Sequence, residues 1–148
     1  MNKRNIILIG MPGAGKSSVG VILAKVLGYE FIDTDLVIQH REKRLLREII
    51  ADEGNEGFLA IENEVNATLE ANKSVIAPGG SAIYGKEAME HFKEIGTIVY
   101  LKLSYEDLAK RLGNLKGRGV VLKEGQTLKD LYDERSKLYE QYAEITVD

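Results

Sequence analysis

A chain of 148 residues with net charge −3, 44% apolar and 29% charged residues has the makeup of one ordinary globular domain. The acidic balance argues against nucleic acid or an anionic membrane as a bulk partner, and the lack of cysteine excludes disulfides, a thiolate nucleophile and a cysteine zinc site. No apolar run approaches the ~20 residues of a membrane span and no signal-peptide core opens the chain, so a cytoplasmic protein is expected.

In chain order, the apolar run Asn5–Ile9 predicts a first strand. It leads into Gly10-Met11-Pro12-Gly13-Ala14-Gly15-Lys16-Ser17, which has the form G-x-x-x-x-G-K-[ST]. A helix over Lys16–Leu27 follows, with Val19, Ile22, Leu23, Val26 and Leu27 at helical spacing and Gly28 as its C′ residue. Further strands are predicted at Glu30–Asp33, Ser74–Ala77, Gly96–Leu103 and Glu144–Val147. Helices are predicted at Leu45–Glu53, Phe58–Ala71, Lys86–Lys93, Tyr105–Leu112 and Leu128–Tyr142. Ser104-x-x-Asp107 and Thr127-x-x-Asp130 read as capping boxes with Asp in place of Glu. Such alternation predicts a three-layer α/β/α domain over residues 1–148, with a five-stranded parallel sheet and ligands at the carboxyl ends of the strands. Residues 113–125 carry four glycines and no sustained period, and are a lid candidate. His40 and His91 sit among charged residues and read as solvated surface.

Strand, glycine loop and helix together form a phosphate-binding site. The cradle spans Gly13, Ala14, Gly15, Lys16, Ser17 and Ser18: backbone N–H groups converge on phosphate oxygens and the helix dipole adds positive potential. Lys16 reaches the β- and γ-phosphates, and the Ser17 hydroxyl is a ligand for Mg²⁺. A nucleoside triphosphate is the expected ligand. Phe31-Ile32-Asp33-Thr34-Asp35 puts two carboxylates at the end of the second strand, where phosphoryl transfer uses one near the metal and one on the acceptor hydroxyl. The bland alternative is that one Asp caps a following helix. Gly79 and Gly80 either let backbone approach a small ligand or simply make a turn. Arg118 is a candidate for closing over the transferring phosphate. The residues by themselves leave Arg111 and Arg135 as solvated helix positions.

Taken in order, GMPGAGKSSVG, FIDTD, FLAIENEV, PGGSAIY, the RL and GRG segments and DERSKLYEQYAEITV resemble the shikimate kinase family over nearly the whole chain. The resemblance implies a P-loop kinase fold with a short lid and transfer of the ATP γ-phosphate to a hydroxyl of shikimate or a related small hydroxy-acid or polyol. It implies phosphate cradling by Gly13, Gly15 and Lys16, Mg²⁺ held by Ser17 with Asp33 acting through water, and Asp35 on the acceptor hydroxyl. Gly79 and Gly80 would bring backbone N–H groups to the acceptor, Arg135 its carboxylate partner, Arg118 a lid contact to phosphate and Arg111 a stack on adenine. The favoured state is a monomer. Two alternatives stay open: a nucleoside-monophosphate kinase, and a nucleotide-binding regulatory module without phosphotransfer.

Three departures stand out. The family arginine that pairs with the shikimate carboxylate is Leu59 here, and Ser81 stands where the family has a third glycine. The final helix usual in the family is absent. Phe58, Ile61, Val65 and Leu69 form the expected core stripe, leaving Leu59 on a face with Glu62, Asn63 and Asn66. Leu59 is therefore expected either to line the acceptor pocket or to stand as a singly exposed leucine.

Overall fold

A computed structural model describes residues 4–113 and 126–148. Five strands, β1 (Asn5–Ile9), β2 (Glu30–Asp33), β3 (Ser74–Ala77), β4 (Gly96–Leu101) and β5 (Ile145–Val147), form one sheet in the order β2-β3-β1-β4-β5. Every pairing is parallel. Around it lie α1 (Lys16–Leu27), α2 (Thr34–Glu42), α3 (Leu46–Ala67), α4 (Lys86–Ile95), α5 (Tyr105–Gly113) and α6 (Leu128–Tyr142). A 3₁₀ helix spans Gly80–Tyr84.

Period-two alternation along β1 splits the core. Ile7 and Ile9 join Ile76, Ile98, Tyr100, Phe92, Leu131 and Tyr139 on one face. Leu8 joins Ala24 and Val75 beneath α1 on the other. A parallel sheet needs apolar residues on both faces, which is why β1 and β3 read as continuous hydrophobic runs. Asn5 is a buried exception: its amide donates to the Ala71 and Ile95 carbonyls at 3.0 Å each and accepts from Ser74 N–H at 3.0 Å. These bonds tie the start of three strands together. The covering is uneven. An apolar groove of about 380 Å³ lies between α1 and the β1, β4 and β5 side, lined by residues including Val19, Val99, Ile145 and Val147.

The expected elements are present, with four differences. The helix α2 over Thr34–Glu42 carries only a weak apolar stripe and was not predicted; its start is set by the Asp33 cap. The two predicted helices around residues 45–71 join directly, broken only where Gly54 turns to φ 76°. The last two predicted strands are shorter, ending and starting at Leu101 and Ile145. His91, expected on the surface, is half-buried with Nε2 2.6 Å from the Leu69 carbonyl oxygen. Of the two predicted capping boxes, Thr127 and Asp130 bond reciprocally, whereas at the other only one half is present, Ser104 Oγ accepting from Asp107 N–H. Gly28 takes the left-handed conformation expected of a C′ residue, φ 72°.

Candidate active site

The phosphate loop connects β1 to α1. Gly13 and Gly15 both sit at φ 90°, a region that residues with a Cβ rarely enter. Gly15 is also the N-cap of α1 and supplies no side-chain acceptor, so the first N–H groups of the helix are left for a ligand. Lys16 folds over its own loop, donating to the Gly10 and Met11 carbonyls at 2.7 and 2.9 Å. Ser17 and Ser18 are exposed on the first turn of α1, beside Ala14, whose N–H bonds back to Met11. Arg111 reaches in from α5 and donates Nη1–H to the Gly13 carbonyl at 2.9 Å. Arg111 stays exposed, as its spacing suggested, and from there its guanidinium meets the phosphate loop.

Next to this loop, β2 delivers the two aspartates. Asp33 Oδ1 accepts from Asp35 N–H at 2.9 Å and caps α2, so the capping alternative is realised; its Oδ2 makes no hydrogen bond among the described residues. Asp35 lies in the first turn of α2, and burial raises its carboxyl to about 6, the Asp33 charge adding to that and Lys16 opposing it. Asp35 thus feels the phosphate-loop lysine, which couples the two halves of the site.

Behind Asp35 the chain leaves β3 through Pro78-Gly79-Gly80. Neither glycine has room for a side chain. A Cβ on Gly79 would lie 2.9 Å from Asp35 Oδ1 and 3.1 Å from Glu62 Oε2; one on Gly80 would lie 2.7 Å from Pro12 Cδ and 2.9 Å from Arg135 Nη1. The paired glycines are therefore where the phosphate loop, α2, α3 and α6 come together. Helix α6 holds the turn from the far side: Tyr139 Oη donates to the Gly80 carbonyl at 2.7 Å, and Tyr139 stacks on Tyr100 at 5.1 Å. One helical turn earlier, Arg135 is 2% exposed, with its guanidinium carbon 5.5 Å from the Tyr84 ring centroid and its Nε without a hydrogen-bond partner. A buried guanidinium with an unsatisfied N–H is suited to pairing with an anion. Arg135 is buried, not on the solvated face that its spacing alone had suggested.

Leu59 is neither a lone exposed leucine nor part of the main stripe. It is half-buried against the small cluster of Ile38, Ile49, Phe58 and Val65, so its apolar character is explained by packing between α2 and α3. Its face is not a solvent face either: Glu62 is 2% exposed and Asn66 fully buried. Arg118 and the rest of the lid candidate from residue 114 to 125 lie outside the described residues. Glu62 and Ser81, which the sequence had set beside Leu59 and the paired glycines, complete the pocket with Tyr84 and Tyr139, which the sequence reading had not placed there. The i, i+4 spacing of Arg135 and Tyr139 was the one available signal.

A glycine loop with an exposed helix start, its lysine, a buried aspartate within that lysine's field and an anion-ready arginine define an ATP-dependent phosphotransferase acting on a small molecule. Comparison with known proteins agrees. The shikimate kinase family profile matches residues 12–148. Shikimate kinase 2 of Yersinia enterocolitica is 34% identical over 154 aligned residues, covering 98% of this chain and 86% of that protein; that of Yersinia pseudotuberculosis is 33% identical at the same coverage. The structure of shikimate kinase from Acinetobacter baumannii in complex with shikimate superposes with a TM-score of 0.85 at 36% identity, over 97% of this chain and 82% of that one. Shikimate kinase from Aquifex aeolicus gives 0.79 at 32%, over 97% and 86%. The chain belongs to the shikimate kinase family.

Proposed function

We propose that this chain transfers the γ-phosphoryl group of ATP to a hydroxyl of shikimate. The observation that carries the reading is the convergence on Gly79 and Gly80: Asp35 on one side, Arg135 on the other, and the phosphate loop through Pro12. Arg135 captures the acceptor carboxylate, and Gly79 and Gly80 let the acceptor lie against backbone. Asp35 then accepts the hydrogen of the attacking hydroxyl. A carboxyl raised to about 6 holds that proton better than an ordinary aspartate while still being ionised at neutral pH. Lys16 leaves the Gly10 and Met11 carbonyls for the phosphates and neutralises charge developing there, with Gly13, Ala14, Gly15, Ser17 and Ser18 as the cradle. Arg111, already on the loop at Gly13, borders the nucleotide. The family resemblance assigns Arg118 to the phosphates.

The oxygen donors fit Mg²⁺. Ser17 offers an exposed hydroxyl and Asp33 an Oδ2 with no hydrogen bond to the described residues, and no group of three or more acidic, His or Cys side chains among the described residues is gathered to hold an ion alone. That is the donor set of a cation held mainly by phosphates and water. Ser17 and Asp33 would hold such an ion, which would supply charge neutralisation at the transferring phosphate.

No described helix is long and apolar enough to cross a membrane. A monomeric kinase domain working in the cytoplasm remains part of this proposal. A second acceptor, a less anionic polyol or hydroxy-acid, is favoured by one observation: Leu59, packed beside α2, offers no second cation to a carboxylate. Coupled ADP release decides between them. Saturable shikimate-dependent turnover is expected, and its absence at millimolar shikimate with turnover on a neutral polyol would reverse the order. Asp35→Asn should lower kcat by ~10²–10⁴-fold while leaving ATP binding intact by calorimetry.

A further inference from the structure

Glu62 and Arg135 are the two charged side chains among the described residues buried to 2% exposure. Glu62 comes from α3, and its Oε1 accepts a hydrogen bond from Ser81 Oγ at 2.7 Å. Its Oε2 is buried with no partner. That free oxygen faces the space beside Gly79 which Asp35 Oδ1 approaches from α2. Two carboxyl groups gathered at one buried point do not readily both ionise. The charges also decide what the pocket admits. With Arg135 positive and Asp35 negative, an ionised Glu62 leaves this trio net negative, whereas a protonated Glu62 leaves it neutral.

We propose that Glu62, latched by the Ser81 hydroxyl, is a positioning residue that sets the charge of the acceptor pocket, and that its protonated form is the one that admits a carboxylate to Arg135. This rests on the acceptor reading given above. It also links the two departures from the family sequence: where position 59 supplies no arginine, the serine at position 81 supplies the hydrogen bond that orients the glutamate. Burial raises the Glu62 carboxyl to about 8; the Ser81 hydrogen bond opposes this, the Asp35 charge adds to it, and Arg135 opposes it. Those are the charged and polar groups that act on it from α2, α6 and the 3₁₀ helix; where α4 packs on α3, neutral Asn63 accepts from Ala88 N–H at 2.9 Å.

Above about pH 8 the pocket therefore gains a negative charge, and the KM for an anionic acceptor rises while kcat changes less. The slope is up to about tenfold per pH unit. Glu62→Gln is neutral at every pH and keeps an oxygen for Ser81, so its KM should not depend on pH across this range. Ser81→Ala removes a hydrogen bond that favours the ionised form, and should move the rise to higher pH. The experiment is kcat and KM for shikimate between pH 6 and 10 in the three proteins, with the Glu62 carboxyl followed by ¹³C NMR in uniformly glutamate-labelled protein. A carboxyl signal titrating near pH 8, absent in Glu62→Gln, with a rising KM in the wild type alone or shifted in Ser81→Ala, is the expected result. A Glu62 signal titrating near its ordinary 4.5 overturns the proposal, as does a KM that rises equally in Glu62→Gln. A wild type that turns over no shikimate sinks the acceptor reading instead, and the NMR titration still decides the protonation of Glu62.

Discussion

Between Gly10 and Lys16 the chain works with backbone: positive-φ glycines, helix N–H groups without a side-chain cap and a lysine that rests on carbonyls. Behind Gly79 the materials are side chains, with Asp35, Glu62 and Arg135 drawn in from three helices and held in a dry setting by Ser81, Tyr84 and Tyr139. The difference has a chemical reason. Phosphate oxygens carry the same charge in every nucleotide and suit a generic cradle of N–H groups. A small hydroxylated acceptor has to be told from its relatives, which needs buried groups whose partners are missing when the wrong molecule binds. The backbone half tolerates water; the side-chain half depends on excluding it.

Substitutions in the two halves should therefore fail in different ways. The largest effect is expected from Arg135→Met, which removes the buried cation at similar length. A loss of ~2–5 kcal/mol is typical for truncating one member of a buried charge pair, equivalent to roughly 30- to several-thousand-fold in acceptor KM. ATP affinity measured in the absence of acceptor should be unchanged, and a parallel loss of ATP binding would break the division. Lys16→Met is next, with kcat falling about 10²–10³-fold in steady-state assays and acceptor KM nearly constant.

Stability tells the halves apart as well. Glu62 keeps its proton in the folded protein up to about pH 8, while an unfolded chain loses it near 4.5. Between those values the unfolded state binds fewer protons, so stability falls as pH rises through that window and levels off above it. Between pH 6 and 8 the fall should be on the order of 2–3 kcal/mol, or roughly 5–10 °C in Tm by calorimetry, and Glu62→Gln should remove it. The smallest effect is at the start of α6. Thr127→Ala takes away the cap that anchors the helix carrying Arg135 and should cost about 1 kcal/mol of stability by denaturant unfolding.

What the sequence by itself determined is local. The strands, the helix after the phosphate loop, the Thr127 capping box and the parallel sense of the sheet follow from apolar period, glycine placement and N-cap chemistry, all carried by neighbours in the chain. The ordered motifs also carried the family. Helix α2 was missed because its hydrophobic pattern is weak and its start depends on a single aspartate cap. The family motifs pointed to Arg135 and Glu62, but the burial of Arg135, Leu59 and Glu62 was decided only by tertiary structure, since it depends on what another element brings within a few ångströms. Arg135 looked like one basic residue on a polar helix until Gly80 and Tyr84 closed over it. Leu59 looked unexplained until α2 supplied Ile38. Burial is a property of the assembled fold, and burial is what turns an ordinary glutamate or arginine in the chain into a group with chemistry of its own.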